Sequence, residues 1–254
     1  YAGLIRYDER LFDDIYQVFS VEPVRDTDKA MLGMLASLGI QKDKPFAPDE
    51  TTRRAMRQAG IDVWYFLQEY FDNLPAERFF WPDRHYASLM MSDDQRRFEY
   101  DYNDRIDTIP RAAQFAWCTY VPAQVSDSPA TQYLSAMADK NGNRLEAGKS
   151  YKVVVPKDVP VQQFWALTVY DRATFSFIYA PNRRTTLSSY DLPNMKTHPD
   201  GSVSIFVGPK APEGMESNWI DTAGKRPMPM FRFYGPEKAL NSKTFKMPDF
   251  EPID

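Results

Sequence analysis

Arginine and aspartate side chains in the last third of the chain are the residues best suited to bind a small polar ligand. Arg232 and Tyr234 share one face of an apolar segment, because side chains alternate along a strand. A guanidinium in such a segment needs an anionic partner, since an unpaired buried charge is very costly. We predict that Asp171 is that partner. Two interpretations stay open: a structural ion pair, or a clamp for the carboxylate or another anionic group of a ligand.

Two further polar clusters follow predicted strands, where binding sites are often built. They are Asp171-Arg172 and Asn182-Arg183-Arg184, and solvated turns are the alternative explanation for both. The full set of ligand-binding candidates is Asp171, Arg172, Arg183, Arg232, Tyr234 and Trp219. If Asp171 and Arg232 share one pocket with nearby Tyr or His residues, the chain is instead a hydrolase that acts on a glycan or a small polar substrate.

Signals for other chemistries are weak. The sequence has no Gly-x-Ser-x-Gly motif and no phosphate-binding glycine loop, and Cys118 lies in an apolar segment typical of a buried cysteine. One cysteine and two histidines argue against a structural zinc site. The spacing of Asp139, Asn141 and Asn143 does not match a calcium loop. We therefore predict no metal and no cofactor, and we assign no catalytic residue. His198 is either an exposed turn residue or a group that titrates near neutral pH.

Composition limits the partners. The chain has 31 basic and 35 acidic residues, a net charge of -4, and no block of like charges. Such a balance argues against nucleic acid and anionic membranes as partners. No run of 18 apolar residues is present, so no membrane span is predicted. Hydrophobic residues make up 43% of the chain, which is enough for a sizeable core.

Residues 1–130 are predicted to be helical. Apolar residues recur at helical spacing in three stretches, at residues 11–19, 31–38 and 56–71. Thr27 is the expected cap of the second helix and Gly39 its end, while Pro48 lies near the start of the third. Ser92 and Gln95 form the capping box of a predicted fourth helix, and Pro110 precedes a further segment through residue 117.

From residue 131 the spacing of apolar residues changes from the 3.6-residue period of a helix to the two-residue period of a strand. Asn141-Gly142 is a strong turn signal and predicts a hairpin between residues 133–137 and 151–155. Further strands are predicted at residues 163–170, 176–179, 202–207 and 229–234. In the first of these, Trp165 and its alternate neighbours are expected on the opposite face from Tyr170. The predicted fold class is α+β: a helical N-terminal half followed by an antiparallel β-sandwich, jelly-roll-like, over residues 131–254.

Several ordered blocks of the last third resemble one bacterial family. They are residues 139–145 and 164–171, Asp200-Gly201-Ser202, residues 208–212, Asn218-Trp219, residues 232–236 and Met247-Pro248-Asp249-Phe250. Together they resemble the domain of unknown function 1214, which is usually joined to an N-terminal companion numbered 1254. The resemblance implies an exported bacterial protein, periplasmic or secreted, that works as a ligand-binding or assembly module. Residues 1–130 would then pack against the companion, and the absence of an initiator Met favours a fragment of a longer precursor.

Aromatic residues are unusually dense at residues 61–90. One stripe facing a single sandwich does not need so many rings. We therefore predict an apolar surface that meets the companion domain or a second copy of the chain. The alternative is a second core formed within one chain.

Overall fold

The computed structural model describes residues 5–74, 78–88, 108–109, 112–113 and 130–253. The chain divides into two compact units, residues 1–70 and residues 71–254. The division predicted at residue 130 stays a prediction. The predicted fourth helix with Ser92 and Gln95, the segment from Pro110 to residue 117, and Cys118 lie outside the described residues.

The first unit contains the three predicted helices. They are α1 (Arg10–Val21), α2 (Lys29–Ser37) and α3 (Glu50–Asp72), whose last two residues belong to the second unit. The residue that caps α2 is Asp28 and not the predicted Thr27, because a short 3₁₀ turn over Asp26–Asp28 moves the start of the helix. Gly39, with a φ of 86°, follows the end of α2 as the left-handed residue that helix ends favour.

Ion pairs and one close backbone approach hold these helices together. Arg53 and Arg57 of α3 pair with Asp13 and Glu9. A Cβ at Gly60 would lie 2.9 Å from backbone atoms of residues 7 and 8. A glycine is therefore required where the backbone of residues 7 and 8 passes over α3.

The second unit contains two stacked sheets. The five-stranded sheet has the order β1-β2-β8-β4-β5, and the four-stranded sheet has the order β7-β6-β3-β9. The strands are β1 (Tyr86–Ser88), β2 (Thr131–Ala136), β3 (Ser150–Val155), β4 (Val161–Asp171), β5 (Thr186–Ser188), β6 (Val203–Gly208), β7 (Trp219–Asp221), β8 (Pro227–Pro236) and β9 (Glu251–Ile253). A short helix, α4 (Lys238–Asn241), follows β8. The predicted α+β class with a sandwich of two sheets is confirmed.

Two local predictions were wrong. Asn141-Gly142 does form a turn, closed by a bridge between Ala138 and Arg144, but β2 and β3 on either side belong to different sheets. The turn therefore passes the chain across the sandwich instead of closing a hairpin. Residues 176–179 form only a bridge from Phe177 to Tyr170. One pair, β6 with β7, is parallel, so the smaller sheet is mixed.

The core lies between the two sheets. Trp165, Leu167 and Val169 of β4 are buried with Phe231 and Phe233 of β8, against the valines and isoleucine of the smaller sheet. The predicted alternation along β4 is therefore confirmed. It follows that the intervening residues of β4 and β8 lie on the outer face of the five-stranded sheet.

Candidate functional site

The six candidate residues fall into separate places in the second unit. Arg232 and Tyr234 lie on the outer face of the five-stranded sheet, in β8. Asp171 and Arg172 lie at the end of β4. Arg183 is exposed in the turn that follows, and Trp219 begins β7 in the other sheet. The described structure does not gather these residues into one pocket.

The predicted ion pair between Asp171 and Arg232 does not form. Asp171 accepts a hydrogen bond from Lys225 Nζ at 3.0 Å and another from the backbone N–H of Ala173. In the sheet, Arg232 lies opposite Ala166, five residues before Asp171 on β4, a separation of about 17 Å along the strand. Asp171 is also an even number of residues away from the core-facing residues of β4, so it lies on the opposite face from Arg232. Both the register and the alternation of side chains therefore separate the two charges.

Arg172 is bound into a charged cluster with Asp72. Its side chain is 3% exposed and donates from Nη2 to Asp72 Oδ1 at 3.2 Å. Burial lowers the pKa of Arg172 to about 10, although the charge of Asp72 opposes that shift. The guanidinium also lies over the rings of Phe71 and Phe175. These contacts are those of a structural brace between the end of α3 and the end of β4.

Asp72 binds two further arginines. Arg226 donates from Nη2 and Nη1 at 2.8 and 3.0 Å, and Arg144 lies 3.5 Å away. Burial by itself would raise the pKa of Asp72, but the Arg226 hydrogen bonds and the three positive charges outweigh it and lower the pKa. No local pattern predicts this cluster, because Asp72 lies 100 positions before Arg172.

The Asn218-Trp219 motif is occupied by structural hydrogen bonds. The fully buried Asn218 side chain donates to the carbonyls of Lys196 and Ser204, and it accepts from the Lys196 N–H and the Ser217 hydroxyl. Trp219 Nε1 donates to the Gly208 carbonyl at 2.8 Å. These bonds join the segment before β7 to β6. Trp219 therefore has a bracing contact that the sequence did not indicate.

Three other polar groups that could suggest chemistry also have structural roles. His198 Nε2 lies 2.8 Å from Ser204 Oγ, but Ser204 is buried in β6 and is not an accessible nucleophile. Asp139 Oδ1 accepts from the backbone N–H groups of Asn141 and Asn143 and so orders the turn. Asp249 accepts from the His85 backbone N–H at 2.9 Å and contacts its ring at 3.1 Å, which fixes the segment before β9 to that before β1.

Arg232 differs from all of these residues. It lies opposite Tyr133 of β2 and Ala166 of β4, and its guanidinium packs over the rings of Tyr133 and Tyr170 at 5.4 and 5.8 Å. Nη2 donates to the Tyr170 hydroxyl. Nε is buried and has no hydrogen-bond partner in the part of the chain that the structure describes. Over the same residues, no carboxylate pairs with Arg232. Within the described ranges, its positive charge thus contacts only rings and one hydroxyl.

The Tyr170 hydroxyl is suited to a second hydrogen bond. Burial raises the pKa of Tyr170, although the charge and hydrogen bond of Arg232 oppose that shift. The hydroxyl is therefore protonated at neutral pH. Its oxygen accepts from Arg232 while its own hydrogen can be donated to another group. The sequence placed Tyr170 on this face but did not predict its contact with Arg232.

An aromatic stack continues from Arg232 along the same face. Tyr234 stacks on Phe164 with centroids 4.1 Å apart, and Phe164 contacts Tyr190 at 4.9 Å. Tyr190 is 69% exposed. The hydroxyls of Tyr133 and Tyr234 form no hydrogen bond within the described ranges. The outer face thus combines a guanidinium, aromatic rings and hydroxyls, and its central part is buried: Tyr170 and Met230 belong to a second hydrophobic cluster and are 8% and 4% exposed.

Comparisons with known proteins support the resemblance to the domain of unknown function 1214. Residues 130–238 match the family described as "Protein of unknown function (DUF1214)". The resemblance to the domain of unknown function 1214 is therefore confirmed for this segment. No curated protein matches the sequence. Among described helices, none is long and apolar enough to cross a membrane.

Two solved structures are similar over most of the chain. The VPA0106 protein from Vibrio parahaemolyticus is 16% identical with a TM-score of 0.46, and the alignment covers 96% of this chain and 55% of that one. An uncharacterized protein from Burkholderia cenocepacia is 14% identical with a TM-score of 0.35, covering 96% and 50%. The chain thus spans about half the length of these two structures.

Proposed function

We propose that this chain is a ligand-binding module whose β-sandwich takes an anionic group at Arg232, on the outer face of the five-stranded sheet. The observation that carries the proposal is that no described carboxylate compensates the charge of Arg232. Among the described residues, Arg232 has no ion pair, and its buried Nε has no acceptor. A guanidinium in that state favours an oxyanion ligand, because the anion supplies both the charge and the missing acceptor.

The contrast with the Asp72 cluster supports this assignment. Arg172 is more buried than Arg232, but it has Asp72 as a partner. Asp171, likewise, has Lys225. The charges of Arg172 and Asp171 are therefore neutralised by partners within the described residues. Among the described residues Arg232 has no such partner, and a bound anion would supply one.

The hydrolase alternative required Asp171, Arg232 and Tyr234 in one pocket. Asp171 lies apart from the other two residues and is already bound to Lys225. No described carboxylate faces Arg232 as a general acid or base. We therefore favour the binding module over the hydrolase.

We further propose that the module is exported and that its helical part takes part in assembly. The family resemblance supports export. Exposed Tyr65 and Phe66 on α3 support an interface, whereas Phe71, Trp81 and Tyr86 of the same aromatic-rich stretch are buried. Light scattering at micromolar concentration tests assembly, and cell fractionation tests export. A strictly monomeric particle and a cytoplasmic location would each contradict the corresponding part.

The anion site is tested by titrating the labelled protein with acetate, phosphate and sulfate at constant ionic strength while amide NMR signals are recorded. Millimolar binding is expected, which corresponds to about 4 kcal/mol, with signal changes confined to β2, β4 and β8. Arg232→Gln should abolish these changes. Arg183→Gln removes the same charge from an exposed turn and should keep them. Equal changes in both variants, or changes outside the three strands, would contradict the proposal.

A further inference from the structure

The second helix, α2, presents an apolar surface that the chain itself leaves uncovered. We infer that α2 packs against α2 of a second copy of this chain, antiparallel and across a two-fold axis. The inference rests on the proposed role of the helical part in assembly, and it adds the partner, the contact surface and the direction of packing. It is independent of the anion site at Arg232.

No residue of α2 is buried, although most of its residues are apolar. Six of its nine residues are Ala, Met or Leu, and Lys29 is its only charged residue. Met34 is 62% exposed, and Met31 and Leu38 are exposed as well. A helix this short is marginal in water unless one face packs against another surface, and Gly33 in its interior weakens it further. The chain alone therefore gives α2 little of the packing that a stable helix needs.

The apolar stripe of α2 matches itself when the helix direction is reversed. One face carries four apolar side chains at the spacing i, i+3, i+4 and i+7, namely Met31, Met34, Leu35 and Leu38. In an antiparallel pair centred between residues 34 and 35, Met31 meets the partner's Leu38. Met34 then meets the partner's Leu35. A two-fold axis requires such a self-complementary surface, because both copies use the same residues.

The charges around α2 favour a second copy over a strongly charged partner. Residues 22–44 contain four acidic and four basic residues, so the surroundings of the stripe have no net charge. A second copy is therefore not repelled, and no strongly acidic or basic surface is selected. Lys29 begins α2, where the helix dipole disfavours a cation, and it pairs there with Asp26 at the surface. An antiparallel partner brings the C-terminal carbonyls of its own α2 to Lys29, which favours that direction of packing.

Sedimentation velocity of the whole chain over a range of concentrations tests the inference. We expect a dimer with a dissociation constant of about 10–100 µM, because the contact is small. Met34→Lys places two like charges near the axis and should weaken the dimer at least about tenfold. Tyr179→Lys adds the same charge in the second unit, at a side chain that is 93% exposed, and should leave the dimer unchanged. Near-UV circular dichroism verifies that each variant is folded.

A mixture of two variants tests whether the same face of both copies meets. Met34→Glu alone should weaken the dimer as Met34→Lys does, because it also places like charges near the axis. An equimolar mixture of the two variants should associate more tightly than either variant alone, since opposite charges then lie across the axis. Amide hydrogen exchange of residues 29–38 should slow as the natural chain dimerises. A mixture that associates no better than its components would contradict the inference.

The outcomes separate this inference from the proposed assembly role. If the natural chain stays monomeric at every concentration, both are wrong. If it dimerises, and Tyr65→Lys abolishes the dimer while Met34→Lys does not, assembly stands and the contact through α2 is wrong. If a monomeric chain binds phosphatidylcholine vesicles and Met34→Lys abolishes that binding, a lipid surface covers α2 and the inference is wrong. None of these results depends on the anion site, because Arg232 is unchanged in every variant.

Discussion

Replacing Arg232 by methionine should abolish anion binding while it leaves the stability of the fold nearly unchanged. The reason is the unusual environment of this guanidinium. It has rings and one hydroxyl as partners but no carboxylate among the described residues, and its Nε is buried without an acceptor. Methionine has a similar length, is apolar and adapts to irregular space.

The magnitude follows from the contacts that are lost and gained. The change removes one hydrogen bond to Tyr170, worth about 1 kcal/mol, and two cation–π contacts worth about 0.5–1 kcal/mol each. Against this loss of about 2–3 kcal/mol stands the removal of a buried donor without a partner, which costs the natural protein about 1–3 kcal/mol. The two contributions nearly cancel. We expect a net change of less than about 1 kcal/mol, or a shift in Tm of no more than about 4 °C for a unit of this size.

Urea denaturation measures this change, and a second series in the presence of ligand measures function in the same experiment. A ligand at ten times its Kd stabilises the natural protein by about 1.4 kcal/mol and should not stabilise the Arg232→Met variant at all. A destabilisation of about 3 kcal/mol or more in Arg232→Met without ligand would refute the reasoning. Such a loss would show that Arg232 is a structural brace like Arg172.

Three further changes test the structural roles assigned above. Asp72→Asn removes the shared partner of three arginines and should cost about 3–5 kcal/mol in the free energy of unfolding, because Arg172 is then buried without its carboxylate. The pKa of Asp72 is lowered in the fold. The stability that its ionised carboxylate contributes is therefore present above the ordinary carboxyl pKa and is lost as pH falls through the pKa of the folded state. On acidification, the free energy of unfolding should fall less in the Asp72→Asn variant than in the natural chain. Asn218→Ala leaves several buried partners unpaired and should cost at least about 2 kcal/mol by urea denaturation. Gly208→Ala should cost about 1–3 kcal/mol, since its Cβ would lie 2.9 Å from Ser150 Cα.

Matched controls exist for the two larger effects. Asp83 pairs with Lys246 and Arg84 at the surface, so Asp83→Asn should change stability by no more than about 1 kcal/mol. Asn194 is exposed at the end of a 3₁₀ turn, and Asn194→Ala should be close to neutral. If either control equals its buried counterpart, burial does not determine the cost and the assigned roles are wrong.

The fold was largely predictable because its periodicities are local. The apolar spacing gave α1, α2 and α3, and the alternation along β4 gave the correct inner face. The hairpin between β2 and β3 was not predictable in the same way. Asn141-Gly142 specifies a tight turn, but which sheet each flanking strand joins depends on distant strands. β2 pairs with β8 and β3 with β6, and these partners lie 48 or more positions apart in the chain.

The candidate site was predictable as a face but not as a set of contacts. Alternation placed Arg232 and Tyr234 together, and the structure agrees. The same alternation excludes Asp171 as the partner of Arg232, because Asp171 is an even number of residues from Trp165 and therefore shares its inward face. Tyr133 could not be found from sequence, since it lies beside Arg232 only through the register of β2 with β8.

The environments of Arg172 and Arg232 explain why a structural role is assigned to the first and a binding role to the second. Arg172 and Arg232 both lie against aromatic rings in one unit of the chain. The fold brings Asp72 from the end of α3 to Arg172 and adds Arg226 and Arg144 around it, so the charge of Arg172 is already used to hold elements together. For Arg232 the described fold supplies no such anion, although a glutamate or aspartate at Thr131 or Thr168 on the same face would have been a small change. A protein that retains a guanidinium in that state loses stability it could have kept, and such losses are expected where a binding site needs them.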